Sequence, residues 1–178
     1  MKSKILKSVL VMLLVLPLFS FAQKSAVDSF FSKYSDQEGY TSIEVTKGLF
    51  ELFAEIDADD PEFEDFKKAV SGLESLKLLA YSTEKGNVET KEKFHKDMMS
   101  SIPFSEYKEL MVIKDSDANI NFYAKNSQQV ITDMIMVVNG KDEAVILSMT
   151  GVIDLNYVAK MGKSMNFEGM HYLEKMKK

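Results

Sequence analysis

Four short apolar segments follow one another between residues 107 and 151, and they constrain the possible fold more than any other feature. They cover 107–114, 119–125, 129–138 and 143–151. The links between them are turn formers: Asp115-Ser116-Asp117, Asn126-Ser127 and Asn139-Gly140. Links this short can join only antiparallel neighbours, so the pattern predicts a four-stranded meander.

The last hairpin of the meander gives the most explicit expectations. Asn139-Gly140 predicts the turn between its strands, because Gly accepts positive φ at little steric cost and Asn-Gly is a strong hairpin signal. Side chains alternate between faces with period two. Two sets should therefore each share a face: Val130, Met134, Met136 and Val138 on the first strand, and Val145, Leu147 and Met149 on the second. Ile131, Ile135 and Val137 are apolar as well, so we expect cover on both faces over part of the hairpin, by helices or by a second subunit.

Helical and strand patterns alternate in the first half of the chain. Ser25 and Asp28 form a capping pattern before an apolar stripe at helical spacing. Asp60 and Pro61 predict the start of a later helix. Further helices are predicted around 49–56 and 88–100, and strands at 40–46 and 76–81. Thr150-Gly151-Val152 predicts a bulge or strand end with a structurally constrained glycine.

The region after the meander predicts two more helices. Asp154 caps the first, which carries Leu155, Val158, Ala159 and Met165, and the last holds Phe167, Met170 and Leu173. Helices grouped before and after a run of hairpins predict an α+β domain. We expect one domain over residues 23–178, with a mainly antiparallel sheet of five or six strands and helices packed on one face.

Residues 1–22 are predicted to be a cleavable signal peptide. Lys2, Lys4 and Lys7 precede an apolar run over 9–21, and the run ends in Ser20-Phe21-Ala22 with small residues where signal peptidase reads. The run is shorter than the roughly 20 residues of a membrane span. We therefore expect a periplasmic or secreted protein with no transmembrane anchor after signal cleavage.

Composition excludes several functional classes. The chain has no cysteine, which excludes disulfides, thiol catalysis and cysteine metal sites. Removing the three lysines of the leader changes the formal charge from −5 to −8, and no cluster of Lys and Arg suits nucleic acid. No pattern predicts a cofactor or a catalytic residue, so we expect a protein that is not an enzyme.

Two acidic clusters and two histidines are the candidates for a metal or catalytic site. The acidic run over 57–65 fails the calcium-loop pattern, because position six is Glu62 rather than Gly and position twelve is Lys68 rather than Glu. A solvated loop and a helix N-terminus explain it better. Asp115 and Asp117 are explained by a hairpin turn. His95 and His171 form no metal-binding motif, so no metal site is predicted.

Methionine is unevenly distributed along the chain. All ten methionines after the leader lie between Met98 and Met176, several of them on the meander strands. Flexible thioethers either fill irregular cores or form adaptable binding surfaces, and both interpretations stay open. If a surface exists, the candidate residues for a partner or ligand are Ile131, Met134, Ile135, Met136 and Val137.

Four segments carry a resemblance to a known family: Phe-Glu-Leu-Phe at 50–53, Leu-Glu-Ser-Leu-Lys-Leu-Leu at 73–79, Tyr-Lys-Glu-Leu-Met-Val-Ile-Lys-Asp at 107–115, and Ile-Leu-Ser-Met-Thr-Gly-Val-Ile-Asp-Leu at 146–155. With them the chain resembles the domain-of-unknown-function family of small exported Bacteroidota proteins. The resemblance implies export and a single domain, but no assigned activity and no catalytic residues. Many relatives carry a lipid-attachment cysteine that is missing here, so tethering to the envelope does not carry over.

Three functional hypotheses follow. The first is a non-enzymatic envelope protein that binds a protein partner or forms a homo-oligomer. The second is a carrier of a small apolar ligand in a methionine-rich pocket between sheet and helices. The third is a hydrolase built from carboxylates alone, which would need two converging acids, one with a raised pKa.

Overall fold

The structure, a computed structural model, describes residues 25–57, 60–127 and 130–154. The helices are α1 Ala26–Tyr34, α2 Lys47–Glu55, α3 Pro61–Val70 and α4 Val88–Ser101. The strands are β1 Tyr40–Thr46, β2 Leu73–Ser82, β3 Lys108–Lys114, β4 Ala118–Ser127, β5 Val130–Gly140 and β6 Glu143–Ile153. The helices predicted beyond Asp154 lie outside the described residues.

Local sequence signals explain where the first helix begins. The Ser25 hydroxyl accepts a hydrogen bond from the Asp28 backbone N–H at 3.0 Å, and it donates to the Asp28 carboxylate at 2.8 Å. This confirms the predicted cap, which satisfies one of the unpaired N–H groups of the first turn. The buried side chains of α1 are Val27, Phe30, Phe31 and Tyr34, the stripe that the spacing predicts.

All six strands form one sheet with the order β1-β2-β6-β5-β4-β3. Every neighbouring pair is antiparallel, and β3 to β6 form the predicted meander. β2 pairs with the free side of β6, so strands from both halves of the chain share the sheet. The fold is therefore α+β, with a six-stranded antiparallel sheet.

The turn between β5 and β6 lies two residues later than predicted. β5 continues through Gly140, whose φ is not positive, and β6 begins at Glu143. Asn139 still pairs with Ala144 within the ladder. The buried Lys91 of α4 explains the difference, because its ammonium group donates to the Gly140 carbonyl at 2.6 Å. The Lys141 N–H also donates to the Asp117 carbonyl at 2.8 Å, which holds this end of β5 against the neighbouring hairpin.

Gly151 lies in a bulge, as predicted. The pairing of β2 with β6 shifts between Leu73 and Ser75, opposite Gly151 and Thr150. Gly151 has φ +125, a conformation that residues with a Cβ rarely adopt. The glycine therefore permits the irregularity at which β6 bends past the start of β2.

Helices cover both faces of the sheet, whereas the sequence predicted cover on one. On the first face, α1 and α4 bury a cluster that comprises Val27, Phe30, Phe31, Tyr34, Leu79, Tyr81, Phe94, Met98, Ile102, Tyr123, Ile135, Val137, Ala144 and Ile146. On the second face, α2 and α3 bury a smaller cluster of Phe50, Val70, Leu73, Met134 and Ile153. The central strands are apolar on both faces, so the sheet needs cover on each side. The expected cover on both faces of the last hairpin is confirmed.

The aromatic centre of the first cluster gives a pH-dependent prediction. Burial raises the pKa of Tyr40 to about 12, and its ring lies 5.1 Å from that of Phe94. The folded state holds the phenol proton more tightly than the unfolded chain. The protonated Tyr40 side chain therefore contributes its full stabilisation of the folded state below about pH 10, and this contribution is lost as the pH rises towards about 12.

We expect the near-ultraviolet absorbance of tyrosinate to show that Tyr40 ionises near that value. Tyr40→Phe should remove this component from the titration and flatten the decline of stability at alkaline pH. The prediction is wrong if Tyr40→Phe leaves the titration curve unchanged.

Candidate functional site

The second face of the sheet is apolar along all six strands. The pairing register aligns Val45, Leu76, Met149, Met134 and Ala124 in one row across β1, β2, β6, β5 and β4. Two further rows follow towards the β5–β6 turn. Directly opposite residues of antiparallel strands share a face, so these rows form one continuous apolar surface.

Helices α2 and α3 cover only the first of these rows. Phe50 and Val70 are buried against Leu73, Met134 and Ile153. The partly buried side chains of that cluster are Val45, Phe53, Phe66, Leu76, Ile131 and Met149. We call this part of the second face the proximal half.

The remaining two rows contain eleven apolar side chains, and we call them the distal half. They are Ile43, Leu78, Ala80, Met111, Ile113, Ile120, Phe122, Met136, Val138, Val145 and Leu147. None of the eleven belongs to either cluster that the described residues form. Ile43 is 48 % exposed, Val145 is buried, and the other nine are half-buried. The distal half is therefore an apolar strip whose side chains do not pack in either of the two clusters that the helices bury.

The five residues predicted as a partner or ligand surface do not form one surface. Met134 and Met136 lie on the second face, in the proximal and the distal half respectively. Ile135 and Val137 point to the first face, where they are 0 % and 2 % exposed beneath the helices. They are part of the core, so they cannot contact a partner in the folded protein.

Ile131 was predicted on the same face as Ile135, but it packs with Met134. The cause is a bulge between Ile131 and Asp133, which breaks the alternation of side chains along β5. Because of the same bulge, Val130 does not pack in the cluster with Met134, and its side chain is 39 % exposed. The shared face of Met134, Met136 and Val138 is confirmed, as is that of Val145, Leu147 and Met149.

The predicted surface residues all lie on β5, so sequence reasoning missed those that the other five strands contribute to the distal half. The signal was present in β4, where Ile120 and Phe122 alternate with Asn119 and Asn121. That alternation shows which β4 residues share a face, but not which face of the sheet it is. The missing information was the register with β5, which sets Phe122 opposite Met136.

Some methionines fill the core and others lie in the distal half, so both interpretations of the methionine distribution apply to part of the set. Met98 is fully buried on α4, and Met134 is buried in the proximal half, so both fill the core. Met111 and Met136 lie in the distal half, at half-buried positions. Thioethers there provide an adaptable apolar surface.

The ionisable groups with shifted pKa values have structural roles. The Tyr34 hydroxyl donates a hydrogen bond to the Asp97 carboxylate at 2.5 Å, and the Lys33 ammonium group forms an ion pair with the same carboxylate at 2.9 Å. These two contacts lower the pKa of Asp97. Burial alone would raise the pKa of Asp28, but the contacts with Lys77 and Ser25 lower it. A general acid would need a raised pKa, so neither carboxylate motivates the hydrolase hypothesis.

The other predicted polar positions are assigned as follows. Burial lowers the pKa of His95, and His171 lies outside the described residues. Asp115 accepts from the Ser116 N–H, and its own N–H donates to the Ala118 carbonyl, so the predicted hairpin turn is confirmed. Within 25–57, 60–127 and 130–154, no three His, Asp or Glu side chains gather as a metal site would require. In the same ranges, no helix has the length and apolar character needed to cross a membrane.

Comparisons with known proteins identify a family but no activity. Residues 34–161 match the model of a domain of unknown function, DUF4252. This match covers most of the chain and extends beyond the last strand, β6. No curated protein and no solved structure matches the chain.

Proposed function

We propose a function from the premise that this chain belongs to the family of the domain of unknown function DUF4252. We infer that the protein is an exported, non-catalytic envelope protein, and that its distal half binds an apolar segment of a protein partner. The observation that carries the proposal is the distal half itself. Eleven apolar side chains lie side by side there, and neither described cluster includes them. A contiguous apolar patch of this kind is typical of an interaction surface.

The leader supports the proposed location. Residues 1–22 have the charged start, short apolar run and small-residue end of a secretory signal peptide. Export would place residues 23–178 in the periplasm or outside the cell. An acidic chain without clustered basic residues suits a protein partner better than nucleic acid.

The size of the strip supports one apolar segment as its occupant. Five strand spacings and two rows of side chains give roughly 24 Å by 14 Å, or about 300–400 Å². A standard protein interface buries about 800 Å² on each partner. One amphipathic helix, about 10 Å wide, matches the strip. A small apolar ligand would instead need walls that enclose most of its surface.

The test compares two neighbouring residues on opposite faces of β3. Met111 lies in the distal half, opposite Phe122, whereas Val112 points to the other face and is 38 % exposed. Met111→Glu should reduce recovery of the partner from envelope extract by at least about tenfold, because the interface would bury an unpaired charge. Val112→Glu adds the same charge in the same strand and should leave recovery unchanged.

Circular dichroism must first show that both variants fold. Equal recovery with both variants would contradict the proposed site. If the unaltered protein recovers no partner, and native mass spectrometry instead shows a bound small apolar molecule, the ligand-carrier hypothesis replaces the proposal.

A further inference from the structure

We propose that residues 155–178 of this same chain dock on the distal half and occupy it until a partner displaces them. The contact between this segment and the sheet stands on its own observations. Its role as a competitor of the partner rests on the proposed function. Four observations on the described residues and the sequence support the docking.

The first observation is where the segment begins. Asp154 follows β6, a central strand that pairs with both β2 and β5. The side chain of Ile153 is 4 % exposed and belongs to the cluster on the second face. The chain therefore leaves the sheet at the end of β6 that lies beside the proximal half.

The second observation is that the length fits. Leu147, in the nearer row of the distal half, is six residues before Ile153 along β6, or about 20 Å away. The predicted helix over 155–165 extends about 16 Å and so covers most of that distance. The residues that follow, 166–178, extend about 20 Å as a helix. This length is close to the width of roughly 24 Å across the six strands.

The third observation is the apolar pattern. Leu155, Val158, Ala159 and Met165 recur at helical spacing, as do Phe167, Met170 and Leu173. A helix with one apolar stripe needs an apolar surface to bury it. The match to the family extends to residue 161, so the domain includes the start of this segment.

The fourth observation is charge. Residues 155–178 contain five Lys and two Glu, a net charge of +3, whereas 23–154 contain fourteen Lys and twenty-five Asp or Glu, a net charge of −11. The two parts therefore attract each other. The lysines can stay in water while the apolar stripe faces the sheet.

The test uses a photo-reactive benzoylphenylalanine, in the full chain expressed with its own leader. The probe replaces Met136 in the distal half, and the control replaces Val112 on the other face. We expect the Met136 probe to crosslink to a peptide within 155–178, with a yield at least about tenfold above that of the Val112 probe.

Mixing isotope-labelled and unlabelled protein separates contacts within one chain from contacts between chains. Crosslinks between chains would overturn docking within the chain and indicate a second copy as the occupant. Equal yields from both probes, or no crosslink to 155–178, would also overturn it. The proposed function would survive these results if the Met136 probe still captured a partner in cells, so the two failures are distinguishable.

A pair of variants tests the stripe itself. In the Met136-probe protein, Met170→Asp should reduce the crosslink to 155–178 by at least about tenfold, because the charge would be buried against the sheet. Asn156→Asp adds the same charge outside the apolar stripe and should retain the crosslink. Equal yields from the two variants would overturn the proposed docking.

Discussion

Gly151→Ala should lower the free energy of unfolding by about 3 kcal/mol or more, a large part of the stability of a domain this size. A Cβ at this position would lie 2.3 Å from the Gly72 carbonyl oxygen, 2.7 Å from the Glu74 nitrogen and 2.8 Å from the Leu73 Cα. All three atoms are backbone, so no side chain can rotate away. The positive φ of Gly151 adds conformational strain for any residue with a Cβ.

The cost should be high because β2 and β6 cannot move apart locally. The Val152 N–H donates to the Gly72 carbonyl at 2.7 Å, at the point where the Cβ would enter. Relieving the clash would break this bond and shift the start of β2. Leu73, the first residue of β2, is buried beneath α2 and α3, so the shift would also disturb the second cluster.

Gly48→Ala is the matched control for urea unfolding. Gly48 lies in α2, and apart from its chain neighbours and the backbone of its own helix, the nearest atom to a Cβ added there would be the Thr46 hydroxyl oxygen at 3.8 Å. Because alanine is the better helix former, we expect this variant to be more stable by about 0.5–1 kcal/mol. The two substitutions should therefore have opposite signs. A Gly151→Ala protein with an unchanged midpoint would contradict the assigned bulge.

Phe94→Ala should lower the free energy of unfolding by about 3–5 kcal/mol. Phe94 is fully buried on α4, and its ring centre lies 5.5 Å from that of Phe30 and 5.1 Å from that of Tyr34. Removing the ring would leave a cavity between α1, α4 and the sheet. The surrounding aromatic rings are held by several partners and can close it only in part.

Val88→Ala tests whether the loss of stability in Phe94→Ala comes from the buried ring or from a change in the helix propensity of α4. Val88 begins the same helix and is 59 % exposed, so its truncation should change the stability by no more than about 0.5 kcal/mol. Thermal and urea unfolding of both variants measure the difference. Similar losses for the two variants would show that Phe94 does not anchor the core.

The proposed site explains why the methionine surface could be only partly predicted. Met134 and Met136 were both expected on one face, and they are, because alternation along a strand is a local property. Whether that face is covered depends on α2 and α3, which lie more than sixty residues earlier in the chain. The two helices bury Met134 but not Met136, and the periodicity of β5 does not distinguish them.

Elements whose signals lie within a few residues could be predicted from the chain alone. The cap of α1 depends on Ser25 and Asp28, which are three residues apart, and the meander depends on links too short to cross the sheet. The glycine of the β6 bulge was also predictable, since Gly151 interrupts an apolar strand pattern.

The pairing of strands that lie far apart in the chain could be determined only from the tertiary structure. β2 pairs with β6 across about seventy residues, and no local pattern encodes which free edge it joins. The bulge at Ile131 likewise depends on the neighbouring strands β4 and β6, yet it moves that side chain to the opposite face. A shift of one residue reverses every side chain beyond it, so the surface of a sheet is set by pairing that local sequence does not contain.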